Sequence, residues 1–253
     1  MCFELDSVPP IPPIRGAAAS HDGLELESAD DNRFAAFFAV PREPTGVGIV
    51  VLPDVRGLYR FYEELALRFA ERGHAAVAID YFGRTAGVAA RGDDFEYAEH
   101  VAQTTAAGVQ ADVGAAAAFL RSDAGGRCRS IFAVGFCFGG RHAWLSTAGG
   151  HDLAGAVGFY GSLGERNGEP GPLGRAAELH GPILALQAGA DANITADQNA
   201  AFDAALTTAG VDHELVIYDG APHSFFDRKQ EEFADASADA WRRVLDFVAA
   251  HAG

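Results

Sequence analysis

SIFAVGFCFGGRHAWLSTAGG, residues 130–150, decides the fold. An apolar run over 131–136 leads into Cys137, two glycines follow at 139 and 140, and a helix-compatible stretch over 141–145 comes next. This is the pattern of a strand, a sharp corner and a helix, with a thiol at the corner. A tight corner needs small residues two before and two after its apex. Gly135 and Gly139 supply them, and Gly140 adds room. Strained backbone at the apex lifts the side chain out of the sheet. The helix behind it aims its first N–H groups at the same point, where they favour a thiolate and hold a developing oxyanion. A lone cysteine is most often a small buried hydrophobe, and Cys2 and Cys128 read that way. For Cys137 the decision depends on whether a base and an orienting acid follow.

Outward from this corner the chain alternates between strands and helices. Apolar strands are expected over 34–40, 47–52, 75–79, 131–134, 156–160, 183–187 and 215–218. Helical spacing of Tyr62, Leu65, Ala66 and Phe69 predicts a helix over 61–72, ended by Gly73. Further helices are expected over about 95–121, 197–209 and 229–250. Such alternation, bounded by Gly and Pro, indicates an α/β fold with a mostly parallel sheet and helices on both faces. The proline-rich start predicts an extended amino-terminal arm over 1–30 packed on a single domain over 31–253.

The acid and the base both follow at strand ends. Asp191 lies in LALQAGADANIT just past an apolar run, and His223 lies in LVIYDGAPHSFFD just past another. Strand ends of a parallel sheet converge on one edge, where such folds place their ligands. The order Cys137, Asp191, His223 matches the nucleophile, acid, base order of this fold class. His142 on the elbow helix, and His180 and His213 before strands, are poorly placed as bases. The first βα loop, VVLPDVRGLYR, lies beside the corner in this fold. The backbone N–H of Val55 is therefore expected to join that of Phe138 in an oxyanion hole. Asp54 in the same loop is expected to point its carboxylate at the thiol.

Charge narrows the partners. With 19 Lys and Arg against 35 Asp and Glu, the formal net charge of −16 repels nucleic-acid phosphates and anionic membranes. Small molecules are left as the expected partners. The start MCFELDSVPPIPPIRG has no basic n-region, and no stretch approaches the roughly 18 apolar residues of a membrane span. Three cysteines without a CxxC fit a reducing compartment, so a cytoplasmic location is expected, as a monomer or homodimer. With no HExxH and no clustered Cys/His spacing, neither metal nor cofactor is expected.

GFCFGG, AGADANI, APHSFF and the loop LPDVRGLYRFYEELALRFAERGHAAVAIDYFGR together resemble the dienelactone hydrolase family (carboxymethylenebutenolidases), within the α/β-hydrolases. The resemblance runs from about residue 47 to the carboxyl terminus. It implies a Cys-His-Asp triad on Cys137, His223 and Asp191, and a carboxylate contacting the resting thiol, which falls on Asp54. Better-known members carry a glutamate there, one methylene longer. Members that take dienelactone hold its carboxylate with two arginines, whose places here fall on Asp94 and Asp227. Arg84, Arg91 and Arg228 lie nearby and offer a shifted clamp.

The expected activity is hydrolysis of a small lactone or ester through a cysteine nucleophile, a carboxylic ester hydrolase. Tyr81, Phe82, Arg84 and Phe225 are the expected substrate-binding residues, with ordinary core packing as the alternative for the aromatics. One rival is a carboxylesterase or thioesterase for small neutral acyl groups using the same site. Another is a peroxide-sensing thiol at Cys137.

Overall fold

The computed structural model describes residues 3–16, 18–89 and 91–253, so Cys2 lies outside the described residues. Eight strands form one sheet: β1 (Ala18–Glu27), β2 (Arg33–Pro41), β3 (Val47–Leu52), β4 (Ala75–Ile79), β5 (Ser130–Phe136), β6 (Gly155–Phe159), β7 (Ile183–Ala188) and β8 (His213–Tyr218). Their spatial order is β1-β2-β4-β3-β5-β6-β7-β8. The six from β3 onward run parallel, while β1 and β2 are antiparallel to their neighbours.

Sequence explains the interior. VGIVVL and AAVAI are buried along their whole length, as expected of central parallel strands covered on both faces. The edge strand β8, HELVIY, is only half buried. Two of the covering helices, α1 (Arg60–Ala70) and α7 (Ala234–His251), touch through Phe69 and Trp241, with ring centroids 4.9 Å apart. On the other face α5 (Phe138–Ser146) meets α6 (Ala196–Ala209) through Trp144 and Phe202, 5.4 Å apart.

Two stretches differ from the sequence expectation. The helix expected over 95–121 is broken into α3 (Tyr97–Gln103) and α4 (Ala106–Arg121), because Thr104 and Thr105 are extended and the Thr105 hydroxyl caps α4 through the Gly108 amide. A short helix, α2 (Gly83–Ala86), precedes them. The amino-terminal stretch assigned to the arm divides in two. Residues 18–27 are edge strand β1, with a register against β2 running from Ala18 opposite Pro41 to Glu27 opposite Arg33. Residues 3–16 carry no helix or strand. No helix among the described residues is long and apolar enough to cross a membrane.

Candidate active site

The corner is as tight as the sequence requires. A Cβ on Gly135 would lie 2.1 Å from the Gly139 carbonyl oxygen, and one on Gly139 would lie 2.1 Å from that of Leu52. Backbone therefore packs directly on backbone between β5, the start of α5 and the first βα loop. Cys137 sits at the apex with φ 54° and ψ −111°, a conformation that costs an L-residue on the order of 1–3 kcal/mol. Its amide donates to the Phe159 carbonyl at 2.9 Å, and its side chain is half buried.

Asp191 and His223 meet above this corner. The loops after β7 and β8 are stitched by amide bonds from Gly189 to the Tyr218 carbonyl and from Ala190 to the Ala221 carbonyl, each 2.9 Å. That stitching sets His223 Nδ1 2.5 Å from Asp191 Oδ2. The other Asp191 oxygen accepts the Asn193 amide at 2.8 Å. Burial alone would raise the pKa of Asp191. The hydrogen bond from His223 and those from the Asn193 and Ile194 amides outweigh it, and the carboxyl is held below its ordinary value.

A cavity of about 390 Å³ is lined by Cys137, Phe138, Tyr160, Ser162, Arg166, Asn193, Ile194 and His223. At its floor the Phe138 ring is touched by Arg166, whose guanidinium carbon lies 5.2 Å from the ring centroid, and by His142 at 4.5 Å. Burial above all, then the charges of Arg141 and Arg166, push the His142 pKa down to about 3, so this imidazole stays neutral. The loop that carries Arg166 is pinned by buried Arg141 of α5, which donates to the carbonyls of Gly164, Glu169 and Pro170. The Arg166 guanidinium itself has no ion pair or hydrogen bond among the described residues.

The first βα loop departs from expectation at Asp54. Its side chain is fully buried, and Arg56 folds back across it. The Arg56 amide lies 2.9 Å from Oδ1 and Nη2 lies 3.0 Å from Oδ2. Among the described residues no hydrogen bond joins Asp54 to Cys137, because a guanidinium two residues away saturates the carboxylate first. Burial works against the Arg56 charge, but Asp54 more than offsets it and raises the pKa. The amides of Val55 and Phe138 have no acceptor among the described residues. Gly139 packs on the carbonyls of Leu52 and Pro53, so the start of α5 lies against the loop that carries Val55.

None of the four expected substrate-binding residues lines the cavity. Phe82 and Phe225 are core residues with no exposed surface. Tyr81 is buried with its hydroxyl on the Pro53 carbonyl at 2.9 Å. Burial first, then Asp54, Asp80 and Cys137, raise its pKa and keep it a neutral phenol. Arg84 is paired with Asp112 and Asp30. The other arginines of the shifted clamp are also engaged, Arg91 with Asp80 and Arg228 with the Ile11 carbonyl. The sequence reading missed Arg166, Ser162 and Tyr160. Arg166 sits in GSLGERNGEP, a Gly- and Pro-rich loop with no periodicity to mark it.

A mostly parallel sheet, a strained corner residue at its carboxyl edge and a loop-borne His–Asp pair define the protein as an α/β-hydrolase. The profile of the dienelactone hydrolase family matches residues 34–252. The carboxymethylenebutenolidase of Rhodococcus opacus is 28% identical over 260 residues, covering 98% of this chain and 96% of its own. A Yersinia pestis protein assigned as a carboxymethylenebutenolidase is 29% identical over 244 residues, covering 91% of this chain and 89% of its own. The crystal structure of a protein from Klebsiella pneumoniae subsp. pneumoniae MGH 78578, assigned as a dienelactone hydrolase, superposes with a TM-score of 0.77 at 27% identity, covering 91% of this chain and 99% of that one. The chain belongs to the dienelactone hydrolase family and is a hydrolase acting on esters or lactones.

Proposed function

We propose that the enzyme opens a small lactone or ester by covalent catalysis at Cys137, with His223 as base and Asp191 as its orienting acid. The observation that carries this reading is the 2.5 Å contact between His223 and Asp191 beside the strained corner that holds the thiol. In the first step His223 takes the thiol proton and the sulfur bonds to the substrate carbonyl carbon. The oxyanion is held by the amides of Val55 and Phe138. The carbon–oxygen bond then breaks, and His223 returns the proton to the leaving oxygen, which in a lactone stays tethered. Water next loses a proton to His223 and its oxygen attacks the thioester. The carbon–sulfur bond breaks, releasing the acid and restoring the thiol.

Arg166 favours an anionic substrate over the neutral acyl alternative. A half-buried guanidinium with no ion pair or hydrogen bond among the described residues, stacked on Phe138 at the wall of the cavity that contains Cys137, suits a carboxylate on the substrate. Asp54 is held by its hydrogen bonds from Arg56, so the reading assigns the thiol proton to His223 alone. A disulfide-forming sensor is disfavoured by Cys128. That thiol is buried, its pKa is raised by burial to about 11, and it lies at the opposite end of β5 from Cys137, roughly 25 Å along an extended strand.

The same reading takes the protein as one hydrolase domain that includes β1, with residues 3–16 as the arm packed on it, working without cofactor in the cytoplasm as a monomer or homodimer. Its test is a panel of paired lactones and esters that differ only in a carboxylate, assayed with wild type and Cys137→Ala. Turnover by wild type, faster on the charged member of each pair and lost in Cys137→Ala, is the expected result. Undiminished turnover by Cys137→Ala would refute the reading.

A further inference from the structure

His223 is carried on a loop, 219–230, that has no helix or strand. Such a segment holds a base in register only if something outside it does the holding. From beneath, Phe225 and Phe226 are fully buried among Phe159, Tyr160 and Phe136. From outside, the restraint comes from the opposite end of the chain. The Ser7 hydroxyl donates to Asp227 Oδ2 at 2.5 Å, with both residues 2% exposed. The Arg228 amide donates to the Val8 carbonyl and its guanidinium to the Ile11 carbonyl, each at 3.1 Å. Lys229 pairs with Asp6. Three consecutive residues beginning four positions after His223 are thus tied to residues 6–11.

A second strut reaches the imidazole through rings. Phe3, 3% exposed, stacks on Phe61 with centroids 4.2 Å apart and meets the edge of Tyr160 at 6.4 Å. The Tyr160 ring lies 4.8 Å from His223. Tyr160 has a φ of 37°, so its place is fixed against local preference. Residues 3–11 lie outside the stretch matched by the family profile, which begins at residue 34.

The geometry points to the amino-terminal arm as part of the working site, with Ser7 a positioning residue that sets His223 through Asp227. This rests on the reading of His223 as the base. Asp227 links the two ends of the arrangement. One oxygen accepts Ser7 and the other accepts the Lys229 amide at 3.1 Å, so the carboxylate shapes the turn only while both donors are present. Loss of Ser7 leaves a buried carboxylate oxygen without its donor. The loop then relaxes where His223 needs it most. Deacylation is the step most exposed, because there the imidazole must orient a water as well as take its proton.

The experiment uses the full chain and compares wild type, Ser7→Ala, Ser7→Thr, Asp227→Asn and the Ser7→Ala/Asp227→Asn pair. Thr45→Ala is the control, since it removes a hydroxyl bond to the Gly73 carbonyl at the far end of the sheet. Hydrolysis of an activated aryl ester gives kcat and KM, and amide hydrogen exchange reports on residues 221–230. Ser7→Ala is expected to lower kcat by about tenfold with little change in KM, and to speed exchange in 221–230. Ser7→Thr restores both, and the double variant is no worse than the poorer single one. Thr45→Ala changes neither. A kcat loss in Ser7→Ala no larger than in Thr45→Ala, or unchanged exchange in 221–230, would overturn the proposal. Cys137→Ala assayed beside them separates the two readings. Turnover surviving in that variant overturns the nucleophile, whereas the exchange result tests the arm whatever the nucleophile is.

Discussion

Arg56 lies across Asp54, with its amide 2.9 Å from one carboxylate oxygen and its guanidinium 3.0 Å from the other. The pair is almost sealed, with side chains 7% and 0% exposed. A carboxylate that the sequence aims at the thiol is thus already satisfied by its own loop.

A buried pair of this kind is costly to break and cheap to replace. Arg56→Ala, which strands the carboxylate, should lower stability by about 3–5 kcal/mol in urea unfolding. Arg56→Met combined with Asp54→Leu should lose clearly less than Arg56→Ala alone. A double variant as unstable as the sum of its singles would show that the two residues do not act as a unit.

Acid should expose the Asp191–His223 contact. Asp191 titrates below its ordinary 3.8 in the folded protein, so the unfolded chain takes up the proton first as pH falls. Its contribution to stability is complete above that ordinary value and drains away below it, as pH falls through the folded value. The stability gap between wild type and Asp191→Asn should therefore narrow as pH drops from about 5 to about 3. At neutral pH the variant should lose on the order of 10³-fold or more in kcat, because the imidazole loses the partner that sets its tautomer. A gap that widens in acid would contradict the assignment.

The corner glycines should tolerate nothing larger. Gly135→Ala places a methyl 2.1 Å from a carbonyl oxygen that belongs to backbone and cannot swing away. It should cost roughly 3 kcal/mol or more, or abolish folding. Gly210→Ala is the useful contrast. That residue ends α6 with φ 69° but has open space around it, so only left-handed strain of about 1–2 kcal/mol is expected. Thermal unfolding of both variants checks the ranking.

Charge selection should reside in Arg166. Arg166→Gln should reduce kcat/KM on a carboxylate-bearing ester by about 10- to 100-fold, the worth of a charge-assisted hydrogen bond. Its neutral analogue should be hydrolysed almost as before. Equal loss on both would assign Arg166 to holding the loop rather than the substrate.

The central fold was legible because its strands are long apolar runs between Gly and Pro, so 47–52 and 75–79 agree with the observed β3 and β4 at both ends. The corner was legible because only glycines fit where backbone meets backbone. Strand β1 was not, since AASHDGLELE is polar on an exposed edge and gives little periodic signal. The break between α3 and α4 turns on one threonine cap inside a run of helix formers. Loop-borne groups were the hardest. That Arg84, Arg91 and Arg56 are paired while Arg166 has no ion pair among the described residues depends on which aspartates fold back to meet them, and no local pattern carries that information.

The most direct measurement is the intact mass of the protein after brief exposure to an activated short-chain ester, for wild type and Cys137→Ala. The account predicts an acyl adduct on wild type that maps to Cys137 and decays with product release, and no adduct or turnover in the variant. Turnover by Cys137→Ala at the wild-type rate, or an adduct that persists in that variant, would contradict it.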